Sequence, residues 1–116
     1  MARTTTAFTL TSIILLASCS PEGSQRMAKG PDDHFTCAAM IAALDQLVTS
    51  GQVPQDAVPA GTRLTVGMTH LNAWAIPNNL QEKEAFEKVK EERSRLIATL
   101  TSAEITARAK ACVDSV

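Results

Sequence analysis

Asp33-His34-Phe35-Thr36-Cys37-Ala38-Ala39-Met40-Ile41-Ala42-Ala43-Leu44-Asp45-Gln46-Leu47-Val48-Thr49-Ser50 is the stretch on which the fold turns. From Phe35 its apolar residues fall at Cys37, Met40, Ile41, Leu44, Leu47 and Val48, the i, i+3, i+4, i+7 spacing of one helical face. Pro31-Asp32-Asp33 before it marks a helix start. An aspartate there serves as N-cap and puts negative charge at the positive end of the helix dipole. Gly51 supplies the stop. The pattern predicts a helix over Asp33 to Ser50 with Cys37 on its buried face.

Outward from this helix, residues 51–61 hold Pro54 and Pro59 and read as a connector, with one turn around Gln55 to Val58. Residues 62–76 carry two patterns. Leu64, Val66 and Met68 alternate as a strand would, supported by Thr62, Thr65 and Thr69. Leu64, Met68, Leu71 and Trp74/Ala75 instead form a helical stripe reaching Ile76. A lone strand finds no partner elsewhere in the chain, so helix is the expectation. Pro77-Asn78-Asn79 ends it, and Asn79 with Glu82 suggests a capping box for the next helix. That helix is dense in charge from Glu82 to Arg95, with Glu84/Lys88 and Glu91/Arg95 as favourable i, i+4 pairs. Phe86, Val89, Leu96, Ile97 and Leu100 form its apolar side, interrupted by Arg93, whose stem can cover apolar surface. The alternating signs make the charge run a solvated face. Thr101 and Glu104 form a second capping box. The last helix then lines Ile105, Ala109, Cys112, Val113 and Val116 on one side, with Arg108 and Lys110 on the other. The expected class is all-α: a small disulfide-linked bundle of three to four helices, residues 32–116, after a cleaved signal peptide.

The N-terminus gives an address. Arg3 is the one charge among the first residues, and an apolar run from Ala7 to Ala17 follows, with Leu10, Ile13, Ile14, Leu15 and Leu16 at its centre. A charged n-region and a run too short to span a bilayer indicate an export signal, residues 1–18. Leu16-Ala17-Ser18-Cys19 resembles the lipobox of bacterial lipoproteins: a branched apolar residue, two small residues, then cysteine. The resemblance implies that Cys19 is acylated and becomes the first residue of the mature protein. It also implies attachment to a membrane through that lipid, since several acyl chains anchor stably where one is marginal. Ser20 in place of an aspartate after the cysteine favours, by the enterobacterial pattern, the outer membrane. Residues 19–31, with Pro21, Gly23, Ser24 and Gly30, read as a flexible tether. Ordinary cleavage nearby, leaving a soluble periplasmic protein, is the alternative reading of the same signal.

Fewer than a hundred residues remain after the signal, one domain near the small end of what a hydrophobic core supports unaided. Eleven basic and twelve acidic residues give a net charge of −1, and loss of Arg3 takes it to −2. That balance gives no footprint for nucleic acid or an anionic membrane. Phe35, Phe86 and Trp74 are the mature aromatics and there is no tyrosine, so stacking platforms for bases are not expected. With Cys19 lipidated, Cys37 and Cys112 remain as an even pair in an oxidising compartment, and a disulfide between them is the economical reading over two free thiols. Closing a loop of about 75 residues would contribute roughly 4 kcal/mol. Cysteines on the buried stripes of the first and last helices would make those helices neighbours.

No catalytic constellation is visible. His-Glu-x-x-His, Gly-x-Ser-x-Gly and a phosphate-binding glycine loop are missing from the sequence. His34 and His70, the two histidines, read as isolated surface residues, and no metal or cofactor is expected. Trp74 reads as a core or rim anchor. Met68, Leu71, Trp74 and Ile76 are the first residues to consider for an apolar ligand or partner. Phe35-Thr36-Cys37 opening a helix, with Ala111-Cys112 near the end, resembles the small disulfide-bonded periplasmic acid-stress chaperones. That likeness implies a helical fold and a periplasmic compartment; the cysteine spacing here is wider than theirs. The sequence thus points to a lipid-anchored cell-envelope protein of interaction or structural type, not an enzyme, with an envelope protein as its partner. A soluble periplasmic chaperone or small-ligand-binding protein is the alternative.

Overall fold

The computed structural model describes residues 32–116, and the signal segment 1–18 and tether 19–31, with Cys19, lie outside the described residues. Four α-helices follow in order: α1 His34–Thr49, α2 Ala60–Ala75, α3 Glu82–Thr99 and α4 Ser102–Asp114, with a short 3-10 turn Gln55–Ala57 between the first two. No strand occurs among the described residues. The all-α expectation holds, and residues 62–75 are helical, with Ile76 as the C-cap.

The first helix is the hub, and the other three pack around it. Cys37, Met40, Ile41, Leu44, Leu47 and Val48 are buried as their spacing predicts, but so are Ala38, Ala39 and Ala43. A helix touched on several sides buries more than a single stripe. Alanine at those extra positions lets the neighbours approach without a bulky side chain between them. Asp33 caps the start, its Oδ1 accepting from the Thr36 backbone N–H at 2.8 Å. Gly51, at φ +80°, ends it. The Gly51 N–H donates to Val48 O and the Gln52 N–H to Leu47 O, the paired bonds of a Schellman motif.

The same closure ends α2, and it corrects one expectation. Asn79 is not the N-cap of α3. It sits at φ +56° and donates to Ile76 O, while the Leu80 N–H donates to Ala75 O. Asparagine tolerates the left-handed conformation better than other non-glycine residues, so it serves here as the C-terminal stop. The N-cap of α3 is Gln81, with no side-chain capping bond. The Thr101–Glu104 capping box of α4 has both bonds: the Glu104 N–H donates to Thr101 Oγ1 at 3.0 Å and the Thr101 N–H to Glu104 Oε1 at 2.9 Å.

A disulfide joins Cys37 of α1 to Cys112 of α4, with Cα atoms 5.5 Å apart. Both cysteines are buried, with Ile105 and Ala109 beside them in the core. An ion pair reinforces this end: Arg108 donates from Nε and Nη2 to the two oxygens of Asp32 at 3.1 and 2.7 Å. That hydrogen bond to Asp32 pushes the Arg108 guanidinium above its ordinary range. Arg108 is therefore a clamp across the fold and not only an outward-facing charge. On α3, Arg95 pairs with Glu92 one turn away instead of with Glu91, and holds the Glu92 carboxyl below the usual range. No Glu84–Lys88 ion pair forms among the described residues. Val116, placed with the apolar side of α4 by its spacing, is exposed.

Candidate functional site

The second helix carries the site. Its core-facing positions are Arg63, Val66, His70, Leu71 and Ala75. Two of these are polar, and each is hydrogen-bonded. Arg63, 9% exposed, donates from Nε to Asp45 Oδ1 of α1 at 2.9 Å. Its Nη1 donates to the Val58 carbonyl at 2.6 Å. One guanidinium thus ties the end of α1, the connector and the start of α2 together, and its planar fork suits that task. His70, 2% exposed, places Nε2 3.0 Å from the Cys112 carbonyl and Nδ1 2.9 Å from Nδ1 of His34. The expectation of two isolated surface histidines is corrected: His34 is exposed, but His70 is buried and the pair is in contact. Their separation of 36 residues hides this from the sequence.

The apolar stripe of the same helix points elsewhere. Leu64 is 69% exposed and Ile76 70%, and Met68 is open to solvent between them. Leu64 and Met68, with Phe86 of α3, rim a groove whose floor is Ile41 and Ala38 of α1, Leu71 of α2 and Val89 of α3. Its volume is about 220 Å³. Gly67 faces α1, and a Cβ at that position would lie 3.4 Å from Ile41 Cγ2, in ordinary contact. A second depression, lined by Met68, Leu71, Ala75, Ile76, Leu80 and Phe86, shares three of these residues and extends the apolar surface to the end of α2. Asp45 and Arg63 close one end of the groove, and Glu82 stands at the other.

Of the four residues singled out for binding, the structure brings three to this surface: Met68 on the rim, Leu71 on the floor and Ile76 in the depression that continues it. Trp74 goes to another side. Its ring lies 4.6 Å from that of Phe35, tilted by 41°, and the two form a half-buried aromatic step beside Asn78, Lys88 and the Glu92–Arg95 pair. Asn78 also donates to the Trp74 carbonyl at 2.7 Å. Leu64 and Phe86 were readable as members of apolar stripes, but nothing in their spacing marks them as exposed. Arg93 is half-buried, and its Nε is buried without a hydrogen-bond partner among the described residues.

No family model, curated protein or solved structure matches this chain. The groove must be judged on its own chemistry. Among the described residues, no cluster of three or more His, Cys, Asp or Glu side chains can hold a metal ion. No described helix is long and apolar enough to cross a membrane. What remains is an apolar trough with charged ends on a disulfide-braced helical frame, suited to holding an apolar group.

Proposed function

We propose that this chain is a small lipid-anchored protein of the bacterial cell envelope that works by binding rather than by catalysis. Cys19 carries the lipid, residues 19–31 tether the domain to the membrane, the outer membrane being favoured, and the groove of α1, α2 and α3 contacts an envelope protein. The observation that carries the anchor is Leu16-Ala17-Ser18-Cys19 closing an apolar N-terminal run. The observation that supports a binding role is the clustering of Leu64, Met68, Ile76 and Phe86, four of the large exposed apolar side chains, along the groove and the depression that continues it. Contiguous apolar patches on a soluble domain mark interaction sites. The same groove gives weight to the second reading, a soluble periplasmic chaperone or small-ligand binder.

Intact mass of the protein made in a bacterium with its own signal separates the two. A diacylated or triacylated Cys19, with Cys37 and Cys112 alkylated only after reduction, supports the lipid-anchored reading. A mature chain without lipid sinks it and favours the soluble one.

A further inference from the structure

His34 and His70 are the two histidines of the chain, and they meet. Their Nδ1 atoms are 2.9 Å apart with ring centroids at 5.1 Å, so the rings face each other nose to nose along the line joining the two nitrogens. That is the geometry of one N–H···N hydrogen bond, and the protons on it can be assigned. The Cys112 carbonyl can only accept, so His70 Nε2, 3.0 Å away, carries a hydrogen. A neutral His70 then has a bare lone pair at Nδ1. His34 must supply the hydrogen in that contact from its own Nδ1. His34 is exposed, so a first added proton goes to its Nε2 and leaves the bond intact. A second has no place except His70 Nδ1. There it would set two N–H groups head to head, on two positive rings, one of them buried.

We infer that the His34–His70 pair is a single-proton latch: it holds α2 to the start of α1 and the end of α4 while one of the rings stays neutral, and it opens when both are protonated. Cys37–Cys112 keeps α1 and α4 joined covalently at this end, so α2 is the helix released. Because α2 also forms one wall of the groove through Arg63, Gly67 and Leu71, release of α2 alters the groove's width, although the latch's chemistry stands whatever the groove holds. The charged groups on the elements that meet at the pair are Asp33, next to His34 in sequence, Asp114, two residues after Cys112, and the Asp32–Arg108 ion pair; α3 carries the Glu92–Arg95 pair. None of these is hydrogen-bonded to either imidazole among the described residues. The pair's own proton count sets the response.

The test is urea unfolding of the full mature chain, residues 19–116 with Cys19→Ser, across mild acid. Free imidazole titrates near 6.5, so excluding one proton lowers the folded-to-unfolded ratio by up to about eightfold between pH ~7 and ~5.5. His34→Asn is the informative variant. Its amide can donate to His70 Nδ1 at neutral pH and turn over to accept from a protonated His70, so the latch survives both states. The pH response should then fall to less than half that of the parent. A parent ratio that does not change over this window, or a response as steep in His34→Asn, would overturn the latch. Long-range nitrogen–proton spectra of the unsubstituted rings give an independent check: hydrogen on Nε2 of His70 and Nδ1 of His34 near neutral pH is required, and any other tautomer pair refutes it.

Discussion

Helices α1 and α2 are each 16 residues long and lie against one another, yet α1 buries apolar side chains alone, while α2 buries Arg63 and His70 beside Val66, Leu71 and Ala75. In α1 the apolar residues go inward, and only polar ones such as Asp45, Gln46 and Thr49 remain exposed. In α2 a guanidinium and an imidazole go inward, and Leu64, Met68 and Ile76 stay out. The first helix is held by the hydrophobic effect, close packing and a disulfide. The second is held by a smaller apolar contact plus directed hydrogen bonds from Arg63 and His70. The difference teaches how a small domain presents an apolar surface without collapsing onto it. Hydrogen bonds orient α2, so its apolar side is free for another molecule.

Substitutions across the two helices should therefore give unequal losses of stability. Leu44 is fully buried at the centre of α1, and Leu44→Ala should cost about 2–5 kcal/mol in urea unfolding. A loss under about 1 kcal/mol would mean that α1 is not the hub. Arg63→Ala leaves the Val58 carbonyl without its donor, and should cost about 1–3 kcal/mol by the same assay. Thr101→Ala removes a capping bond from α4, away from both helices, and should cost about 1 kcal/mol. Gly67→Ala is the smallest change. Its Cβ just reaches Ile41 at 3.4 Å, and the helix gains up to about 1 kcal/mol in propensity, so stability should rise slightly. A marked loss there would show a tighter α1–α2 contact than the groove allows.

Acid response sharpens the same division. The Thr101 backbone N–H and hydroxyl hold the Glu104 carboxyl below the usual glutamate range. Such a group contributes stability that is present above its ordinary value of about 4.3 and is lost as pH falls through the folded-state value. Glu92, lowered by its bond to Arg95, acts in the same direction. These carboxylates therefore shape the limb below pH ~4.3, separate from the mild-acid window of the histidine pair. Glu104→Gln should flatten the acid limb by removing that contribution, so the urea midpoint falls near neutrality and changes little below the folded-state value.

The parts of the fold legible in the sequence are those where polarity and position agree. Phe35 to Val48 gives α1 because every apolar residue on its stripe is inside. Thr101 and Glu104 give the start of α4 because a capping box is local and reciprocal. Cys37 and Cys112 could be paired because each lay on such a stripe. The orientation of α2 was not legible. Leu64, Met68 and Leu71 have the spacing of a core face, while Arg63 and His70 carry the polarity of a surface. Their real partners, Asp45, His34 and Cys112, lie 18 to 42 residues away. The Asp32–Arg108 pair is further still, at 76 residues. Asn79 was ambiguous for another reason, since asparagine serves both as N-cap and as left-handed stop. Part of the groove could be anticipated from Met68, Leu71 and Ile76. Phe86 and Leu64 joined it only through the packing of α3 and α2.

The most direct test of this account is the stability of a chain in which Leu64→Ser and Ile76→Ser are combined. If hydrogen bonds hold α2 and its apolar side is free, the unfolding free energy from urea titration should fall by no more than about 1 kcal/mol, as for exposed substitutions elsewhere. A loss of about 3 kcal/mol or more, the scale of core truncation, would contradict it and make that face part of the core.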